Sequence, residues 1–154
     1  KTSLFNRKET ARVRKILSAG AGKIRSGKRL YQQRCASCHK LFDEGGVIGP
    51  ELTGYERGSL DFWLPGIIEP NLEIREGYAN YVVTTTEGRV LLGVIAEQNP
   101  QAVTLRDAAN QTTTLPRSKI NTLAATPASL MPLGLLSGLS DQQLRDLFAY
   151  LQKP

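Results

Sequence analysis

Apolar side chains recur every three or four residues in four separate stretches of the chain, which is the spacing of a helix with one buried face. Each stretch also carries residues that begin or end helices. Ser59, for example, is placed to cap the third stretch, Pro65 is placed to kink it, and Pro70 ends it. The predicted helices cover residues 3–19, 23–36, 59–69 and 140–151.

The last predicted helix begins with a capping box formed by Ser140 and Gln143. Its apolar side chains fall on one face, beside Tyr150, and need a partner to cover them. We expect this face to cross the second helix near Gly27, because a glycine there permits a close approach of the two backbones. The apolar residues of this face are Leu144, Leu147, Phe148 and Leu151.

Between the third and fourth helices the pattern changes to short runs rich in Val, Ile, Thr and Tyr, separated by turn residues. The short connections indicate an antiparallel meander, which could curl into a small barrel. Tyr81, Val83, Leu92 and Val94 are expected to face its interior. This region has no nucleophile with a base and no acid cluster, so we interpret it as a structural or docking element. Its strands are predicted at residues 78–85, 89–96, 102–107, 111–115 and 120–124.

Residues 35–39 read Cys-Ala-Ser-Cys-His, which is the attachment motif of a c-type haem. The thiols of Cys35 and Cys38 each add to one vinyl group of the porphyrin, and His39 is then placed to coordinate the iron. The motif uses both cysteines and the only histidine of the chain. A zinc site would need four ligands, and a thioredoxin-like disulfide would need no histidine. We therefore predict one haem c per chain.

The loop that follows, residues 43–54, is rich in glycine, which lets a backbone approach a ring edge closely. A metal-bound imidazole usually gives its other N–H to a carbonyl or a carboxylate. We take the carbonyl of Pro50 as the candidate acceptor for His39, and Leu52 as a further candidate for contact with the cofactor. Trp63, the only tryptophan, is interpreted as a core residue or as a wall of the haem pocket.

Met131 is the only methionine and lies between Pro127 and Pro132. Prolines stiffen the segment and can hold a thioether at a fixed point. A lone methionine is more often a core residue, but no other soft ligand remains for the second face of the iron. We take Met131 as the candidate sixth ligand, with lysine, water or an open position as the alternatives.

Taken together, these stretches make residues 23–154 resemble the haem-binding domain of Planctomycetes/Verrucomicrobia type, a c-type cytochrome variant. The resemblance implies an α+β fold, in which an antiparallel β insertion at about residues 77–125 interrupts a class I-like cytochrome c helical fold before the methionine loop. Residues 1–22 lie outside it and form an N-terminal basic helix or linker. The matching stretches are CASCH, GGVIGPELTG, IIEP, NLEIREGYANYVVTTTEGRVLLGVI, AVTLRD, SLMPLGL and LSDQQLRDLFAYL.

The resemblance also implies thioethers at Cys35 and Cys38 and axial ligation by His39 and Met131. Members of this family often lie at the C-terminus of larger exported proteins, beside domains that resemble sugar or alcohol dehydrogenases. We therefore expect one-electron transfer to a redox partner protein or a fused dehydrogenase, and no enzyme activity of this domain itself. A haem-based gas or redox sensor, in which Met131 leaves the iron, is the alternative.

The positive charge of the chain is concentrated near its beginning. Residues 1–40 carry a net charge of +11, and residues 41–154 carry −5. This basic stretch is either a solvated helical arm or a rim that steers an acidic redox partner. Nucleic acid is not predicted, because no aromatic residues are interleaved with the basic ones.

The composition bounds the class and the location of the protein. A chain of 154 residues with 40% hydrophobic and 22% charged residues is typical of one globular domain. No stretch approaches the ~20 apolar residues of a membrane span. Because haem is attached to this motif outside the cytoplasmic membrane, we expect a periplasmic or otherwise exported protein. The chain opens with Lys1-Thr2-Ser3 and shows no export signal, so we expect that signal to have been cleaved or to lie upstream.

Overall fold

The structure is a computed structural model, and it describes residues 2–154. Helices form both ends of the described chain, and a sheet lies between the third and fourth helices. None of the helices in this range combines the length and the apolar character needed to cross a bilayer. The elements are α1 (Leu4–Ser18), α2 (Ile24–Arg34), β1 (Lys40–Leu41), β2 (Glu44–Gly45), α3 (Leu60–Ile68), β3 (Tyr81–Thr85), β4 (Val90–Gln98), β5 (Ala102–Arg106), β6 (Thr112–Pro116), β7 (Ile120–Ala125) and α4 (Asp141–Leu151).

Three helices begin at serine caps. The Ser3 hydroxyl accepts a hydrogen bond from the backbone N–H of Asn6 at 3.1 Å, so Ser3 caps α1. Ser59 caps α3 in the same way. At α4 the predicted capping box is confirmed, because Ser140 and Gln143 satisfy each other's backbone N–H groups.

The main helical contact is the crossing of α2 and α4. A Cβ atom built on Gly27 would lie 1.9 Å from the backbone oxygen of Asp146, so only glycine allows the two helices to approach this closely. Beside the crossing, the rings of Tyr31 and Tyr150 pack with their centroids 5.5 Å apart. The buried Asp146 accepts a hydrogen bond from the backbone N–H of Lys23 at 2.8 Å, which ties the start of α2 to α4.

Helix α1 packs on the outside of α3 and α4. Its inner face buries Val13 completely and packs Ile16 and Leu17 against the helical core. Arg14 contacts Asp61 of α3. This contact is between exposed side chains, which contribute little to stability, so the packing is carried by the apolar face.

The five longer strands form one antiparallel sheet in the order β6-β5-β4-β3-β7. The predicted meander is correct for the first four strands and wrong for the last, because β7 pairs with β3. The single-turn 3-10 helix Arg117–Lys119, which begins directly after Pro116, sends the chain back across the sheet. There the carbonyl of Lys119 accepts a hydrogen bond from the N–H of Thr86 at the end of β3.

The predicted interior of the sheet is correct on β3 and wrong on β4. Val83 is completely buried, and Tyr81 packs against the same cluster. Val83 pairs with Leu91 across the ladder, so Leu91 shares its face, and Leu92 and Val94 both point to the opposite side. On that side Leu92 is 50% exposed, whereas Val94 is 5% exposed for a reason other than the sheet's own core.

Candidate haem site

The Cys-Ala-Ser-Cys-His segment begins at the C-terminal end of α2. Cys35 is the C-cap, and its N–H donates to the carbonyl of Tyr31 at 2.8 Å. The next turn is closed by the N–H groups of Cys38 and His39, which both donate to the carbonyl of Cys35 at 3.1 and 3.0 Å. The tight turn brings both thiols and the imidazole to the same cavity.

This cavity is a mainly apolar cleft of about 160 Å³ that is partly open to solvent. The structure brings together at this cleft every site residue named from the sequence. These are Cys35, Cys38, His39, Pro50, Leu52, Trp63 and Met131.

The imidazole of His39 is held by one well-defined hydrogen bond. Its Nδ1 lies 2.7 Å from the carbonyl oxygen of Pro50, the acceptor named from the sequence. A carbonyl oxygen can only accept, so Nδ1 carries the proton and the neutral ring keeps its Nε2 lone pair. Burial lowers the pKa of His39, although the bond to Pro50 acts in the opposite direction. The ring is therefore kept in the form that binds metals.

Glycines of the following loop lie against this turn. A Cβ on Gly49 would lie 2.5 Å from Cε1 of His39, and a Cβ on Gly46 would lie 2.2 Å from the carbonyl oxygen of Ser37. Gly45 has a φ of +131°, and a Cβ there would meet the His39 carbonyl oxygen at 1.8 Å. The loop can wrap the motif this closely only because these three positions lack a side chain.

Tyr31 of α2 holds the backbone of the Cys-Ala-Ser-Cys-His segment by a hydrogen bond. Its ring is completely buried, and its hydroxyl donates to the carbonyl of His39 at 2.6 Å. Burial raises the pKa of Tyr31, so the phenol stays protonated and keeps this bond. Helical spacing along the sequence predicts Tyr31 on the buried face of α2, but it does not predict this contact.

The environment of Cys35 disfavours a redox role for this thiol. Burial, with a smaller contribution from Cys38, raises the pKa of Cys35 to about 12. The thiolate is the nucleophile in disulfide exchange, and reactive cysteines have lowered pKa values. Both cysteines are half-buried free thiols.

The segment that carries Met131 is tied to the chain after α3. The N–H of Met131 donates to the hydroxyl of Ser129 at 3.0 Å, and the N–H of Ser129 donates to the side-chain oxygen of Asn71 at 2.8 Å. These bonds hold the half-buried thioether side chain at the rim of the cleft. Neither Asn71 nor Ser129 was named from the sequence, although the Pro70-Asn71 pair is a turn signal that could have drawn attention to it.

Several other residues of the cleft were also missed. Ile48 and Ile67 are buried apolar walls, and Val94 reaches the cleft from the sheet. Ile48 could have been found as the apolar residue inside the glycine-rich loop. Val94 could not, because its role depends on how the sheet packs against the helices.

The lining fits a flat, apolar group attached through two sulfurs. Two thiols and a neutral imidazole lie on one wall, a thioether lies at the rim, and the remaining surface is mainly apolar. In residues 2–154 no group of three or more His, Cys, Asp or Glu side chains could hold a bare metal ion. The two thiols, the imidazole and the thioether match the donor set of a c-type haem.

Comparison with known families agrees with this fit. Residues 24–92 match the family model of cytochrome c. The match supports a c-type cytochrome domain, a family that binds covalently attached haem c with its iron and transfers electrons. It includes α2, the attachment motif and α3, and it ends before Met131. No curated protein matches the chain.

Proposed function

We propose that this chain is a one-electron transfer module whose haem c is attached at Cys35 and Cys38 and coordinated by His39 and Met131. The observation that carries the proposal is the shared cleft, since the attachment motif and the only methionine both line it. Haem c supplies a single iron that changes between Fe(II) and Fe(III). The remaining task of the protein is to hold the ligands and to set the reduction potential.

His39 is held in the form needed for coordination. The Pro50 carbonyl accepts a hydrogen bond from the protonated Nδ1, so the lone pair of Nε2 is free to bind the iron. Second-shell hydrogen bonds of this kind orient the imidazole and raise its basicity. The Tyr31 hydroxyl holds the backbone of the same residue. Two independent contacts, one to the side chain and one to the backbone, therefore hold this residue.

Met131 would supply a soft sulfur as the second protein ligand of the iron. A thioether favours Fe(II), so histidine and methionine together raise the potential relative to harder ligands. The apolar walls act in the same direction, because they disfavour the additional positive charge of the oxidised site. Trp63 contributes to these walls; it is 4% exposed, and its indole N–H is satisfied by the carbonyl of Arg57 at 2.8 Å.

The test is the variant Met131→Ala, matured with haem in a competent host. We expect the sulfur-to-iron charge-transfer band of the oxidised form to disappear. We also expect the equilibrium constant for reduction to fall more than about tenfold, which is 59 mV for one electron. The control is Leu133→Ala, because Leu133 lies in the same segment and is 67% exposed. An unchanged band and potential in Met131→Ala would show that Met131 is not a ligand.

A second candidate function is a haem-based gas or redox sensor. The observation that favours it is the position of Met131, which is half-buried and lies in a segment that is neither helix nor strand. Such a segment can release a ligand more easily than a helix can. Carbon monoxide added to the reduced protein separates the two functions: rapid and complete binding supports the sensor, and slow or partial binding supports electron transfer.

We further propose that the domain is of Planctomycetes/Verrucomicrobia type and serves as the electron-accepting part of a larger exported protein, with a redox partner or a fused dehydrogenase as donor. The position of the sheet, between α3 and the Met131 segment, supports an insertion at about residues 77–125 of a class I-like cytochrome c fold.

We divide the chain into residues 1–22 and a cytochrome part, residues 23–154. The buried inner face of α1 supports a docked helix for the first part.

A further inference from the structure

The sheet touches the cleft at a single strand position. Of all residues in β3 to β7, only Val94 of β4 lines the cavity that also holds His39 and Met131. The segments that lead into and out of the sheet complete this side of the cleft, with Tyr78 before β3 and Leu130 after β7. The sheet is therefore in contact with the candidate haem site and is not only attached to the helical part by its ends.

The two faces of β4 explain why Val94 is exceptional. Leu91 and Ile95 point into the sheet's own core. Val90, Leu92 and Val94 alternate with them and point to the other side. On that side Val90 is 66% and Leu92 is 50% exposed, whereas Val94 is only 5% exposed. The burial of Val94 therefore comes from the cleft, whose other lining residues belong to the helical part and to loops.

The backbone at this position is rigidly held. Strand β4 is central and pairs with β3 on one side and with β5 on the other. Val94 is paired with Arg106, and a Cβ on the neighbouring Gly93 would lie 2.5 Å from the Arg106 carbonyl oxygen. The close approach of the two strands fixes where the valine side chain lies, so it acts as a firm wall.

We propose that Val94 forms the sheet's part of the haem pocket wall and that through it the sheet raises the reduction potential. The inference rests on the proposed function, since it assumes haem in this cleft. An apolar wall excludes water and disfavours the extra charge of the oxidised iron, which is the burial contribution to the potential. The sheet thereby acquires a role in setting the chemistry of the site.

The test is Val94→Thr, compared with Val90→Thr on the exposed part of the same strand. Both changes replace a methyl group by a hydroxyl, but only the first places the hydroxyl at the cleft. We expect Val94→Thr to lower the equilibrium constant for reduction about threefold to tenfold, where tenfold is 59 mV for one electron. Val90→Thr should leave it unchanged, and the methionine charge-transfer band should be the same in both variants.

A second measurement needs no variant. In the reduced wild-type holoprotein, nuclear Overhauser effects between haem protons and the methyl groups of Val94 report the contact directly. Their absence in an assigned spectrum, or equal potentials for Val94→Thr and Val90→Thr, would overturn the inference. The proposed function would survive the loss of the Val94 inference if Met131→Ala still shifts the reduction potential in the same preparation. If haem is not attached at all, the proposed function itself fails.

Discussion

Replacing Gly27 by valine is expected to lower the free energy of unfolding by about 3 kcal/mol or more. A Cβ at this position would lie 1.9 Å from the Asp146 carbonyl oxygen and 2.8 Å from Cβ of Tyr150. The oxygen belongs to the backbone of α4 and cannot rotate away, so the helices must separate. Overpacking usually costs about 1–3 kcal/mol of stability. Moving the two helices apart also exposes apolar surface that their crossing buries. Since domains are stable by roughly 5–15 kcal/mol, this loss is a large fraction of the total stability and is readily measured.

The measurement is denaturant unfolding, with Gln32→Val as the control. Gln32 is exposed on the same helix. Its valine variant therefore places the same β-branched residue in α2 without disturbing the packing of α2 against α4. We expect the control to lose less than about 1 kcal/mol. Equal losses in the two variants would mean that α2 and α4 do not approach as closely as described.

Replacing Gly49 by alanine is expected to reduce the yield of correctly ligated haem protein several-fold. The added methyl group would lie 2.5 Å from Cε1 and 2.8 Å from Nδ1 of His39. Either the imidazole turns and loses its bond to Pro50, or the loop moves away and takes the Pro50 carbonyl with it. In both cases the ring is no longer oriented, and loss of such a second-shell partner typically weakens metal binding 10–100-fold.

The comparison is with Gly54→Ala in the same loop, where nothing lies within 4 Å of the added Cβ. The visible spectrum of each matured variant reports the fraction of low-spin, histidine-ligated haem. We expect Gly54→Ala to match the wild type. If Gly49→Ala also matches it, the loop does not hold the imidazole in the way proposed.

Local chemistry in the sequence was enough to predict most of the helical part. Ser59 and Ser140 are caps whose function depends only on the next three residues, and both were found. The close approach at Gly27 was also predicted, because a glycine on the apolar face of a helix leaves room for the backbone of a second helix. Cys35, Cys38 and His39 were found for a similar reason, since all three belong to one local motif.

Features that depend on distant pairings were not predicted. The strand with which β7 pairs is decided by the turn after Pro116, and not by the hydrophobic pattern of β7 itself. Leu92 and Val94 were assigned to the wrong face because a register error of one residue reverses every side chain of a strand. The Tyr31 contact with the His39 carbonyl and the Asn71 contact with Ser129 were missed because each joins segments whose relative position only the folded chain defines.

The crossing of α2 and α4 has a consequence for the order in which the protein matures. The hydrogen bond between Lys23 and Asp146 joins residues 123 positions apart, so this core closes only after the chain has been synthesised past residue 146. Contacts of such high sequence separation slow folding. The thiols of Cys35 and Cys38, which the closed fold half-buries, are therefore expected to be more accessible before α4 packs against α2. Under the proposed function, we expect haem attachment at that earlier stage.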